Sequence, residues 1–120
     1  MHYLLLIYER EEAAPAEDDA AAPTREDYER FNQRFGASGA LRGGAELQPT
    51  STATTVRVRS GEVLLTDGPF AETKEQLAGY YVIDCDSLDD AIELAAAIPG
   101  ASHGTIEIRP QVEGVGPFTT

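Results

Sequence analysis

LAGYYVIDCDSLDDAIELAAAIPG, residues 77–100, followed by GTIEIR at 104–109, decides the fold of this chain. Residues 77–85 are rich in Tyr, Val and Ile, the composition of a central strand. Ser87 then stands three residues before Asp90, the spacing of a helix N-cap, and Leu88, Ala91, Ile92, Ala95 and Ile98 recur as one helical stripe. Pro99-Gly100 closes the helix. In 104–109 the period changes to two: Ile106 and Ile108 face one way, and Thr105, Glu107 and Arg109 the other. The stretch therefore reads strand, helix, strand.

Upstream, Thr54 to Arg59 alternates Val56 and Val58 against Thr55, Arg57 and Arg59. Ser60-Gly61 supplies a two-residue turn, and 62–66 returns, so a β-hairpin is predicted whose valines pack on the helices. Before it, Gly43-Gly44 opens a short extended segment ending at Pro49. A first helix is predicted over 25–38: Thr24 and Asp27 resemble a capping box, Tyr28, Phe31 and Phe35 form an aromatic stripe, and Gly39 stops it. Residues 2–8 are apolar at both parities, as in a strand covered on both faces. The linear order gives an α+β chain with a ferredoxin-like βαββαβ sheet and two helices on one face. Such a sheet leaves its other face bare, and a homodimer closing a shared α+β barrel is the economical way to cover it.

The 120 residues suit a single domain, 1–120. Residues 9–23, with six acids, Pro15 and Pro23, read as a flexible acidic loop within it, and 111–120 as a tail. Nine Lys and Arg against 21 Asp and Glu leave a net charge of −12, which repels phosphate backbones and anionic headgroups. Direct nucleic-acid binding is not expected. The apolar run at 3–8 is too short for a signal peptide or a membrane span, and the lone Cys85 fits a reducing cytoplasm as a small buried hydrophobe.

Between hairpin and central strand lies DGPFAETKE, residues 67–75. Together with YLLLIY at 3–8, ELQPTSTATTVRVR at 46–59 and the stretch quoted above, it resembles the DGPF-type branch of the YCII-related family over most of the chain. The resemblance implies a cytoplasmic, dimeric α+β barrel with a cleft between subunits. It also carries an association with transcription initiation and sigma factors, and implies no settled substrate. Some members of the wider family pair a histidine in the first helix with an aspartate near the end of the second. Here the first helix has no histidine and Ile98 stands before Pro99, so that pair is absent.

By its residues alone, Asp67-Gly68-Pro69 is turn chemistry: Asp bonds following amides, Gly accepts positive φ and Pro fixes the next dihedral. The loop could also bring Asp67, Glu72 and Lys74 to a cleft rim. Arg57 and Arg59 on one strand, with Glu107 and Arg109 on another, are expected inside the barrel or at its rim, either paired or holding an acidic ligand. The ligand-binding candidates are Asp67, Lys74, Arg57, Arg109 and Tyr80. Asp67 and His103 are the candidates for acid-base catalysis, since imidazole titrates near neutral pH. No P-loop, dinucleotide fingerprint, metal-ligand spacing or nucleophile elbow occurs, so neither cofactor nor metal is expected. Three readings follow: a dimeric domain binding a small, anionic molecule in a regulatory or accessory role; an acid-base enzyme; and a protein-interaction module serving a transcription-related partner.

Overall fold

A computed structural model describes residues 1–11 and 23–114. Most of the expected acidic loop, 12–22, and the end of the expected tail, 115–120, lie outside the described residues. The elements are strand β1 (His2–Glu9), helix α1 (Arg25–Ala37), strands β2 (Leu41–Glu46), β3 (Thr54–Arg59), β4 (Glu62–Asp67) and β5 (Gln76–Asp84), helix α2 (Leu88–Ala97) and strand β6 (Thr105–Pro110). Four strands form one antiparallel sheet in the order β2-β5-β1-β6, which is the ferredoxin-like arrangement.

Both helices start where side chains satisfy their free amide groups. In α1 the Thr24 amide donates to Asp27 Oδ2 at 2.8 Å and the Asp27 amide donates back to Thr24 Oγ1 at 3.2 Å, a complete capping box. In α2 Ser87 Oγ accepts from the Asp90 amide at 3.2 Å. Strand β1, held between β5 and β6, presents Tyr3, Leu5 and Ile7 to the helices, and Leu5 is fully buried. Phe31 of α1, Ile83 of β5 and Ala91, Leu94, Ala95 and Ile98 at the helix α2 end complete the core. Phe31 stacks against Phe35 and Tyr81, with ring centroids 4.8 and 5.2 Å away, which extends the core over β5.

Two corrections to the sequence reading follow from the packing. The buried stripe of α2 is Ala91, Leu94, Ala95 and Ile98, whereas Leu88 and Ile92 are about half exposed. Leu88, Ala91, Ile92 and Ala95 share the helical spacing of the true stripe, so periodicity alone could not choose between two overlapping faces. Second, the hairpin valines do not pack on the helices. Strands β3 and β4 form a sheet of their own, and Val56 and Val58 are 58% and 57% exposed. The place beside β5 that would have received them is taken by β2. The hairpin is thus an arm inserted between two neighbouring strands of the main sheet.

Gly104 precedes β6 where the chain passes β1 closely: a Cβ there would lie 2.1 Å from the Tyr8 carbonyl oxygen. Only glycine admits that approach.

The two faces of α2 differ in what truncation removes. Leu94→Ala should lower the unfolding free energy by about 3 kcal/mol and Ile92→Ala by no more than about 0.5 kcal/mol, read from urea denaturation. The reverse ranking would refute the observed orientation of α2.

Candidate functional site

The sheet has a second face, and among the described residues no helix packs on it. The register places Leu4 beside Val82 and Arg109, and Leu6 beside Tyr80 and Glu107. Leu4, Leu6 and Tyr80 are half-buried, and Val82 is buried. Around this apolar centre stand polar groups of β1 and β6. Tyr8 Oη donates to Glu107 Oε1 at 3.4 Å, and Arg109 Nη2 donates to Glu107 Oε2 at 3.0 Å. Glu107 therefore has both oxygens engaged and holds the Arg109 guanidinium protonated further above its ordinary range. The Arg109 side chain remains 66% exposed, so most of its five N–H donors face outward.

At the far end of the same rows His2 lies opposite Asp84. The Asp84 carboxylate accepts from the Met1 ammonium at 3.3 Å and from Arg42 Nη2 at 3.2 Å. The ammonium hydrogen bond, with the charges of Met1, His2 and Arg42 behind it, holds the Asp84 carboxyl below its ordinary value. One sheet face thus carries an apolar centre with a polar row along its β6 side and a charged cluster at its His2–Asp84 end.

The expected site residues separate into three places. Arg109 and Tyr80 are on this sheet face, and the expected pairing of Arg109 with Glu107 is present. Arg57 and Asp67 are on the arm, on its opposite faces: Arg57 stands opposite Leu64, and Asp67 opposite Thr54 in the row of Val56 and Val58. Within one chain Arg57 and Arg59 therefore do not share a sheet with Glu107 and Arg109, because β3 belongs to the arm. Lys74 is exposed in the loop that runs back to β5. His103 follows the 3-10 turn Pro99–Ser102, with its Nδ1 2.8 Å from Ser102 Oγ. His2 and His103 lie at opposite ends of β6, since the His2 carbonyl accepts from the Gln111 amide while Tyr8 pairs with Thr105.

The DGPF turn has a clear structural part. Gly68 adopts φ 96°, a left-handed conformation, and its amide donates to the Ala53 carbonyl at 2.7 Å while its carbonyl accepts from Thr55 Oγ1 at 2.8 Å. These two bonds close the base of the arm. At the loop's end Glu75 Oε1 accepts from Thr105 Oγ1 at 2.8 Å, tying the loop to the start of β6.

Two other places hold side chains of chemical interest. A groove of about 380 Å3 between α1 and the turn after α2 is lined by Arg30, Phe31, Arg34, Phe35 and Pro99 among others. Its cations are committed, Arg30 to Asp27 and Arg34 to the Phe35 ring. Tyr28 Oη accepts from the Gly100 amide at 3.1 Å, and burial, reinforced by Glu9, pushes the phenol up to about 12. Burial likewise raises the Cys85 thiol, which donates to the Ser87 carbonyl. Among the described residues no three His, Cys, Asp or Glu side chains cluster as metal ligands, and no helix is long and apolar enough to cross a membrane.

The family model of the YCII-related domain matches residues 1–113, from β1 to beyond β6. The chain belongs to the YCII-related family. Within the match fall the sheet face, the arm and both helices of this YCII-related domain. An uncharacterised protein of Rhizobium meliloti (strain 1021) is 41% identical over 115 residues, covering 92% of this chain and 91% of the relative.

Sequence reading left out Tyr8, and with it the Arg42–Asp84 pair at the other end of β1. The signal of Tyr8 was present, since it shares the parity of Leu4 and Leu6, but only the β1–β6 pairing brings it to Glu107.

The Asp84 cluster makes stability depend on pH in a defined direction. The folded value lies below the unfolded one, so its contribution is fully present above about pH 5 and is lost as pH falls through the folded value. Asp84→Asn should therefore have a lower Tm than the wild type at neutral pH, and the two should converge as the pH falls through the lowered folded value. A constant gap between the two melting profiles from pH 7 to pH 2 would contradict this role.

Proposed function

We propose that this YCII-related protein is a cytoplasmic homodimer that closes the helix-free faces of its two sheets on each other and binds a small anionic molecule in the cleft between them, in a regulatory or accessory role. The observation that carries this reading is the composition of the second sheet face. An antiparallel sheet stands with one face in water when that face is polar. Here its centre is Leu4, Leu6, Tyr80 and Val82. Val82 is already buried within one chain, and covering the half-buried Leu4, Leu6 and Tyr80 with a second copy removes their remaining apolar area from water at about 25 cal/mol per Å2, while a two-fold axis lets one patch cover its own copy.

The same face supplies the ligand chemistry. Arg109 offers outward N–H donors whose direction is fixed by Glu107, and Glu107 is in turn fixed by Tyr8. A guanidinium held in this way suits a planar carboxylate or a phosphate. Tyr80, on β5 across strand β1 from Arg109, adds an aromatic ring and a hydroxyl to the same face, and Lys74 and Asp67 belong to the exposed loop and arm beyond the sheet.

Sedimentation velocity at micromolar concentration should give a dimer, and a monomer would refute the reading. Thermal shift against a panel of small carboxylates and phosphates should find a ligand that stabilises by roughly 2.7 kcal/mol at a hundredfold excess over Kd. The Tm should rise by about 10 °C. Arg109→Ala should abolish that shift while leaving the dimer intact. A panel without any stabilising anion would remove the ligand from the proposal.

A further inference from the structure

The arm formed by β3 and β4 is the least self-sufficient part of the molecule. Val56 faces Leu65 and Val58 faces Val63, and these four side chains are between 57% and 67% exposed. A two-stranded hairpin is marginal in water unless a third element covers its apolar face. Among the described residues the hairpin pairs with no third strand. Its other face carries Thr55, Arg57, Arg59, Glu62 and Thr66, with Leu64 as its single aliphatic side chain.

We infer that each arm reaches across to the second copy of the chain and lays its Val56, Val58, Val63 and Leu65 strip on the partner's sheet face, so that Asp67 enters the partner's cleft. The inference rests on the dimer proposed above and adds to it a swapped arm and a residue supplied in trans. Charge selects a second copy as the occupant. Residues 54–67 hold two arginines and two acids, so the whole net charge of −12 is carried by the rest of the chain. The arm is an element of this acidic protein that can approach another copy without net repulsion, its two arginines balancing its two acids.

Area points the same way. A strip of four aliphatic side chains is on the scale of a few hundred Å2, comparable to the largest apolar patch a monomer exposes, while a stable interface takes about 800 Å2 from each partner. Sheet face and arm strip together approach that scale, and two-fold symmetry uses each twice. Register then decides which residue travels with the strip. Asp67 shares the row of Val56 and Val58, whereas Arg57 projects from the opposite face. Docked by its strip, the arm turns Asp67 toward the partner and Arg57 away from it.

The test is sedimentation velocity of the full chain, the double variant Val58→Asp/Leu65→Asp and the control Arg57→Ala, each verified as folded by circular dichroism. The double variant should lose at least a hundredfold in dimer affinity and sediment as a monomer at about 10 μM, while Arg57→Ala should remain dimeric. A second readout needs no variant: amide hydrogen exchange of 54–67 in the wild-type chain should slow as concentration passes through the dimer Kd. A wild-type dimer whose affinity is unchanged by the aspartates overturns the swapped arm and leaves the sheet-face dimer standing. Arm amides that exchange at a rate independent of concentration overturn the swapped arm in the same way. A wild-type monomer overturns both.

Discussion

Strand β1 is hydrogen-bonded along both edges, to β5 on one side and β6 on the other, and every other feature of the fold follows from its alternation. Because successive side chains of a strand point to opposite faces, fixing Tyr3, Leu5 and Ile7 in the core forces Leu4, Leu6 and Tyr8 onto the second face. A slip by one residue would exchange the two sets. The helices prevent the slip, since Phe31, Leu94 and Ile98 fill the space above one parity only. The apolar character of the second face is therefore a consequence of how this strand is built, and so is the need for something to cover it.

Polar groups on that second face are arranged around the apolar centre. Tyr8, Glu107 and Arg109 are bonded in sequence along its β6 side, and Met1, Arg42 and Asp84 at the end beside His2. Exposed ion pairs of this kind contribute little to stability in water. The Glu107 carboxylate joins the Tyr8 hydroxyl to the Arg109 guanidinium, one oxygen to each. The chain carries a net charge of −12, and Arg109 stands exposed beside the apolar centre of this face.

Local chemistry was legible because its causes are local. Thr24 with Asp27 and Ser87 with Asp90 are capping pairs whatever the rest of the chain does, and Ser60-Gly61 turns a hairpin without outside help. Alternation in β6 was equally plain, and the Glu107–Arg109 pair joins two residues of one strand on one face. Where the pattern misled, the sequence held two equal answers. Ile92 and Leu94 each complete a helical stripe with Ala91 and Ala95, and only contact with β1 selects Leu94. Val56 and Val58 alternate as a half-buried strand does, yet alternation says that a face is apolar and not what lies against it.

By itself the sequence determined the α+β class, the helix starts and the hairpin, because caps, turns and periods of two or 3.6 are properties of adjacent residues, and its resemblance along most of the chain pointed to the YCII-related family. Tertiary structure alone decided that β2 takes the place beside β5, that β3 and β4 stand apart as an arm, and that Tyr8, Glu107 and Arg109 meet. Those outcomes depend on competition between segments for one edge of a sheet. Such a competition is settled by packing between residues far apart in the chain, which no local pattern encodes.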